Sequence, residues 1–167
     1  RIMSWLYPEQ YVTSGLTTQT DNSVLAISSG QLWGKGLNNT SFESVKNGKF
    51  LSEANCDFIF AVIGEELGFI GSIVIVVLMV LMVFICLRMA SRARDLAGRE
   101  ICVGMAALIG FQSFVNMGVA SGLLPNTGLP LPFISAGVSS LASLFMGMGV
   151  VLNVGLQRMD EADLRRR

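Results

Sequence analysis

The chain has no histidine. Imidazole is the side chain that titrates most readily near neutral pH, so acid–base chemistry here falls to Asp or Glu. Charge is also scarce: Asp, Glu, Lys and Arg make up 14% of the 167 residues, where a soluble domain carries about 25%. Twelve basic and twelve acidic residues leave no net charge. That removes the basic surface nucleic-acid binding requires, and no nucleic-acid partner is expected. The three cysteines, Cys56, Cys86 and Cys102, show no CxxC spacing, and without histidine they do not build a typical zinc site. Cys86 and Cys102 sit at the ends of apolar runs and read as small hydrophobes. The chain opens on Arg1 with no signal peptide, and it reads as the C-terminal piece of something longer.

What is abundant is apolar: 51% of residues are hydrophobic and the mean hydropathy is +0.57. The apolar residues gather into three runs, Leu67 to Leu87, Ile101 to Ser121 and Val138 to Gln157, each about 20 residues and long enough to cross a bilayer. The expected fold is therefore an all-α polytopic membrane protein. A polar loop with short helices (1–57) precedes three transmembrane helices. These cover 58–88, 101–121 and 138–157, joined by 89–100 and 122–137 and followed by a tail, 158–167. Arg88, Arg92, Arg94 and Arg99 fall in or beside the first connection, and Arg158 and Arg165 to Arg167 in the tail. Three crossings put both groups on one side, which predicts cytoplasm there and an outward-facing Asp57.

Several features interrupt the apolar pattern. Phe58 to Leu87 is too long for one straight crossing, so Phe58–Ile63 reads as an outer-leaflet entry or a short interfacial helix. Glu65 and Glu66 then face a wet cavity, bind nearby backbone, or simply begin the helix where its dipole favours negative charge. Gln112 and Asn116 share a helix face, as interhelical glue or substrate contacts. Gly118 and Gly122, and Ser139, Ser143 and Gly147, are small residues at four-residue spacing that permit close helix packing. The segment Leu123 to Ser135 carries Pro125, Pro130 and Pro132 yet is apolar. Irregular backbone at membrane depth survives when it is buried in protein or lines a cavity, so this segment is expected to be a cavity wall or re-entrant loop.

Glu53 and Asp57 stand directly before the first apolar run, and a carboxylate there is a site hypothesis by default. The competing reading of Asp57 is an N-cap.

Four stretches in order now carry a resemblance: Ala26 to Leu37 (with Gly34-Lys35-Gly36), Asp57 to Gly68, Phe111 to Asn116, and Gly122 to Ser135. Together they resemble the SEDS family, the bacterial shape, elongation, division and sporulation proteins of the FtsW, RodA and SpoVE kind. The resemblance implies a membrane glycosyltransferase of roughly ten helices, each satisfying its backbone internally. Such an enzyme polymerises lipid II into peptidoglycan strands at the outer face of the bacterial cytoplasmic membrane, for elongation, division or sporulation. This chain would supply the large extracytoplasmic loop and helices eight to ten. The family's essential aspartate falls on Asp57, the preceding glutamate on Glu53, and its Gly-Lys-Gly on Gly34, Lys35 and Gly36. Neighbouring positions depart from the family pattern: Ser52, Asn55 and Cys56 stand for Pro, His and Thr, Asn22-Ser23 for Gln-Ser, and Ala136 and Val138 interrupt a Ser-Tyr-Gly-Gly-Ser-Ser. These changes mark a divergent member.

The chemistry assigns Asp57 as general base for the attacking sugar hydroxyl, worth roughly 10²–10⁴ in rate. Lys35, whose flanking glycines admit close backbone approach, is the cation for the leaving pyrophosphate. Glu53, Gln112, Asn116 and Ser135 are further substrate-binding candidates. Asp57, with or without Glu53, would alternatively hold a divalent cation such as Mg or Mn. The expected partners are lipid II or another undecaprenyl-pyrophosphate-linked glycan, a class B penicillin-binding protein, and other divisome or elongasome membrane proteins. Two other functions fit the same residues: a lipid-linked precursor transporter (flippase), which would tolerate Asp57→Asn, and a non-catalytic scaffold that binds partners through faces such as Gly118/Gly122.

Overall fold

The computed structural model describes residues 16–36 and 57–164. The described residues are helical, with no strand among them: α1 (Leu16–Ser29), α2 (Ile59–Ala90), α3 (Leu96–Ala120) and α4 (Val138–Leu164). Three of these, α2, α3 and the Val138–Gln157 part of α4, are long and apolar enough to cross a membrane. They run antiparallel in turn. Small residues let them approach: Gly98 faces Val154, Gly155 faces Met89, and Gly147 faces Met105. Cys86, Ala90, Cys102 and Ala106 form the narrow part of the core between them, and Ile109, Leu144 and Val151 fill the rest. Both cysteines are buried free thiols, and Cys86 Sγ lies 3.9 Å from Met148 Sδ, as their reading as small hydrophobes anticipates. Outward faces are apolar too, with Val74, Val77, Val80 and Phe84 on α2 and Phe111 and Phe114 on α3 all exposed. Such faces suit lipid or further helices.

Helix ends differ from the apolar limits because polar residues continue a helix past the hydrocarbon. Thus α3 starts at Leu96, ahead of Ile101, and α4 runs on to Leu164, beyond Gln157. Within the segment 1–57, α1 is a helix of 14 residues. It lies against the end of α3, where the buried Ser23 hydroxyl reaches Ala120 C=O at 2.8 Å. The end of α3 also revises the Gly118/Gly122 pairing. Gly122 has φ +75 and closes the helix, with Leu123 N–H donating to Gly118 C=O at 2.9 Å, the left-handed C-terminal cap that glycine favours. Gly118 is covered by Leu124 of the same chain. Gly122 both turns the chain and receives α1, with Val24 and Thr20 the nearest atoms to a Cβ placed there.

The feature that organises the molecule is a break in α2. Gly68 has φ 69 and ψ −165, inside an otherwise helical run, a conformation essentially reserved for glycine. In an unbroken helix Phe69 and Ile70 N–H would donate to Glu65 and Glu66 C=O. Here the segment after α1 takes up all four groups. Lys35 N–H donates to Glu65 C=O (2.9 Å) and Gly36 N–H to Glu66 C=O (3.0 Å), while Phe69 N–H donates to Gln31 C=O (2.9 Å) and Ile70 N–H to Leu32 C=O (3.3 Å). The break therefore leaves no backbone orphan at these positions, each of which would cost about 1–3 kcal/mol if buried unsatisfied. Contact this close requires small residues on both sides: a Cβ at Gly34 would strike Glu66 C=O, and one at Gly68 would strike Gly34 N. Beyond the break, Phe69 to Ala90 spans about 33 Å, one bilayer crossing. Phe58–Ile63 thus lies ahead of the break, in a separate short helical piece.

Candidate active site

Asp57 sits at the start of α2, at the bundle end that also holds α1, the 30–36 segment and the connection 121–137. Burial of Phe58 (1% exposed) among Ala26, Ala61, Val115 and Val119 fixes the chain immediately after it. The position flanking the helix is Phe58, whose side chain supplies no cap. Asp57 itself is half-buried. Its carbonyl accepts a hydrogen bond from Asn116 Nδ2 at 2.8 Å, and the same nitrogen donates to Leu129 C=O at 2.7 Å. Asn116 is 1% exposed. The carboxylate of Asp57 borders Gly128, where an added Cβ would lie 3.4 Å from Oδ2.

The connection 121–137 is packed into the protein, with Leu131, Pro132 and Ser135 buried. Asn126 Oδ1 accepts from Gly128 N–H at 3.2 Å, turning the chain so that Gly128 adopts φ +70 beside Asp57. Ser135 Oγ accepts from Leu131 N–H at 2.8 Å, and Ser135 N–H returns to Leu131 C=O at 3.1 Å. Phe133 holds a left-handed φ of 61 with its ring edge-on to Phe145, centroids 5.5 Å apart. Prolines withhold donors from this loop, and side chains and turns replace them.

The candidates named from sequence divide accordingly. Asp57 and Asn116 come together with Gly128 and Leu129. Ser135 supports the loop that carries those two residues. Gln112 is half-buried on the same helix, one turn from Asn116. Glu53 lies outside the described residues, as do Ser52, Asn55 and Cys56. Lys35 Nζ pairs with Glu65 Oε1 at 3.0 Å, and the Glu65 side chain is 1% exposed against 28% for Lys35. Glu65 therefore resolves its open reading: it is the buried partner of a cation delivered by the segment that plugs the α2 break. Sequence reasoning missed that pairing. A lone lysine between glycines and a glutamate inside an apolar run were its available signal, since a charge at that depth needs a partner. Lys35→Met, which removes the ammonium from this buried carboxylate, is expected to destabilise the full-length parent protein by about 3 kcal/mol, and Lys35→Met/Glu65→Leu to recover most of the loss. Thermal melting in detergent reads both, and equal melting of Lys35→Met and wild type would contradict the pairing.

Among the described residues no group of three Asp, Glu or Cys gathers to hold a metal ion. A divalent cation at Asp57 would need further ligands, such as Glu53, substrate oxygens or water. What the arrangement offers directly is one half-buried carboxylate, set at a bundle end, on a residue whose backbone carbonyl is held by Asn116.

The family described as Cell cycle protein, that of FtsW, RodA and SpoVE, matches residues 1–160. A probable peptidoglycan glycosyltransferase FtsW from Geobacter metallireducens is 44% identical over 155 residues, covering 92% of this chain and 40% of that protein. Stage V sporulation protein E of Bacillus subtilis is 42% identical over 155 residues, covering 92% of this chain and 41% of that protein. A chain from a peptidoglycan synthase complex that coordinates polymerization and crosslinking superposes with a TM-score of 0.70 at 30% identity, covering 95% of this chain and 41% of that one. The chain thus spans about two fifths of the length of the proteins it matches. With the match extending through residue 160, the chain belongs to the FtsW/RodA/SpoVE family of cell cycle proteins.

Proposed function

We propose that the protein containing this chain polymerises lipid II into glycan strands at the outer face of the bacterial cytoplasmic membrane. The observation that carries the reading is Asp57, its backbone carbonyl held by α3 and its carboxylate beside Gly128 of the 121–137 loop, in a chain 44% identical to a protein named a probable peptidoglycan glycosyltransferase. As general base it takes the proton of the acceptor sugar hydroxyl while that oxygen bonds to the anomeric carbon of the donor. The anomeric C–O bond to the lipid pyrophosphate breaks with its electron pair leaving on the phosphate. The arginines of the 91–95 connection, Arg92 and Arg94, set that end toward the cytoplasm, so Asp57 at the opposite end faces outward, where lipid II is presented. A class B penicillin-binding protein is the proposed partner, supported by the synthase complex with which the chain shares its fold.

The test is the full-length parent protein in lipid vesicles with lipid II, alone and with the penicillin-binding protein. Glycan ladders resolved on a gel are the expected product. Translocation of lipid II without polymer would replace this reading with the transporter.

A further inference from the structure

We propose that Asn116 is a positioning residue of the transferase site, holding the Asp57 carboxylate against Gly128. The inference rests on the reading of Asp57 as the base. The amide nitrogen of Asn116 has two hydrogens, and both are committed: one to Asp57 C=O at 2.8 Å, the other to Leu129 C=O at 2.7 Å. This assigns the amide orientation, since its oxygen cannot donate to two carbonyls. A single buried side chain thus ties together two segments far apart in sequence, the entry to α2 and the loop after α3. Gly128, next to the second of these carbonyls, borders the carboxylate: a Cβ added there would lie 3.4 Å from Asp57 Oδ2, an ordinary contact distance. Neither segment is regular structure at these points, so neither has a helical ladder to hold it. α3 is the rigid element: Asn116 hydrogen-bonds both segments to it, beside the packing of Phe58 and Leu129 with Val115 and Val119.

Two alternatives make different predictions. Generic interhelical glue would stabilise α3 against another helix, but both acceptors lie outside α1–α4, at the junctions that frame the carboxylate. A substrate contact would leave the amide donors available, whereas both are already taken by backbone. The remaining atom, Asn116 Oδ1, is buried without a partner among the described residues; the two donors are spent on position.

The experiment uses the full-length parent protein with lipid II and compares wild type, Asn116→Leu, Asn116→Ala and Asp57→Asn. Leu keeps the volume of Asn and removes both donors. Activity is normalised to protein that elutes as a folded, monodisperse species, and lipid II affinity is measured separately. Misplacing a reacting group by about 1 Å costs on the order of 10²-fold, so both Asn116 variants are expected to lose about that factor in kcat while binding lipid II within about threefold of wild type. Loss in Asp57→Asn but full kcat per folded molecule in Asn116→Leu and Asn116→Ala would overturn the inference alone. Unchanged kcat with weakened lipid II binding would make Asn116 a substrate contact instead. Full activity in Asp57→Asn would overturn the reading of Asp57, and the positioning role with it. If Asn116→Leu does not fold, Asn116→Ala, which creates space rather than filling it, carries the comparison.

Discussion

Gly68→Val is expected to leave almost no folded full-length protein. Three costs coincide at this position. The backbone sits at φ 69 and ψ −165, where a branched side chain is strained by about 1–3 kcal/mol. The new side chain would point into backbone atoms, Gly34 N and Leu32 C=O, which lack the freedom of a flexible side chain to move aside. Withdrawing the 30–36 segment to make room would then strip four backbone groups of their partners, each worth about 1–3 kcal/mol when buried unsatisfied. The sum reaches the scale of a whole domain's stability, about 5–15 kcal/mol. Gly34→Ala attacks the same seam from the other side, at φ +78 and facing Glu66 C=O, and is expected to be comparably severe. Gly104→Ala is the control, because a Cβ there meets nothing within 4 Å in this chain and alanine is the better helix former. Size-exclusion profiles and melting curves in detergent distinguish these outcomes. A Gly68→Val protein that elutes and melts like wild type would show that the break is not an obligatory part of the fold.

The three membrane-length helices are legible in sequence because hydrocarbon thickness alone fixes the length of an uncharged run. The excess length of the first run also signalled a discontinuity, but its location did not follow. Gly64, Gly68 and Gly71 are all candidates by composition, and only the partners of the freed backbone groups, contributed from thirty or more residues away, single out Gly68. The pairing of Lys35 with Glu65 was hidden for the same reason. Each residue invited a local reading, phosphate binding for one and a helix dipole for the other, while the actual partner came from tertiary contact. Gly122 shows a role beyond its spacing: it lies against Thr20 and Val24 of α1, and it also ends α3 in a left-handed conformation that sequence does not reveal. Asn116 was recognised as polar and buried in a helix, but whether it serves glue, substrate or scaffold depended on seeing its two acceptors.

Substitution of Asp57, the proposed base, is the second large expected effect. Asp57→Asn removes the basic carboxylate but leaves the residue's size and its backbone carbonyl. The hydrogen bond from Asn116 ends on that carbonyl, and the anchor in the core is Phe58, so the scaffold around the position is expected to persist. Activity should therefore fall without a matching fall in folded protein. Loss of a general base accounts for roughly 10²–10⁴ in rate.

The most direct measurement is lipid II polymerisation by the purified full-length parent protein with its penicillin-binding partner, comparing wild type and Asp57→Asn at equal folded concentration. The account predicts glycan strands from wild type and a loss of at least about 10²-fold in the variant, with lipid II binding retained. Equal strand formation by both proteins would contradict it.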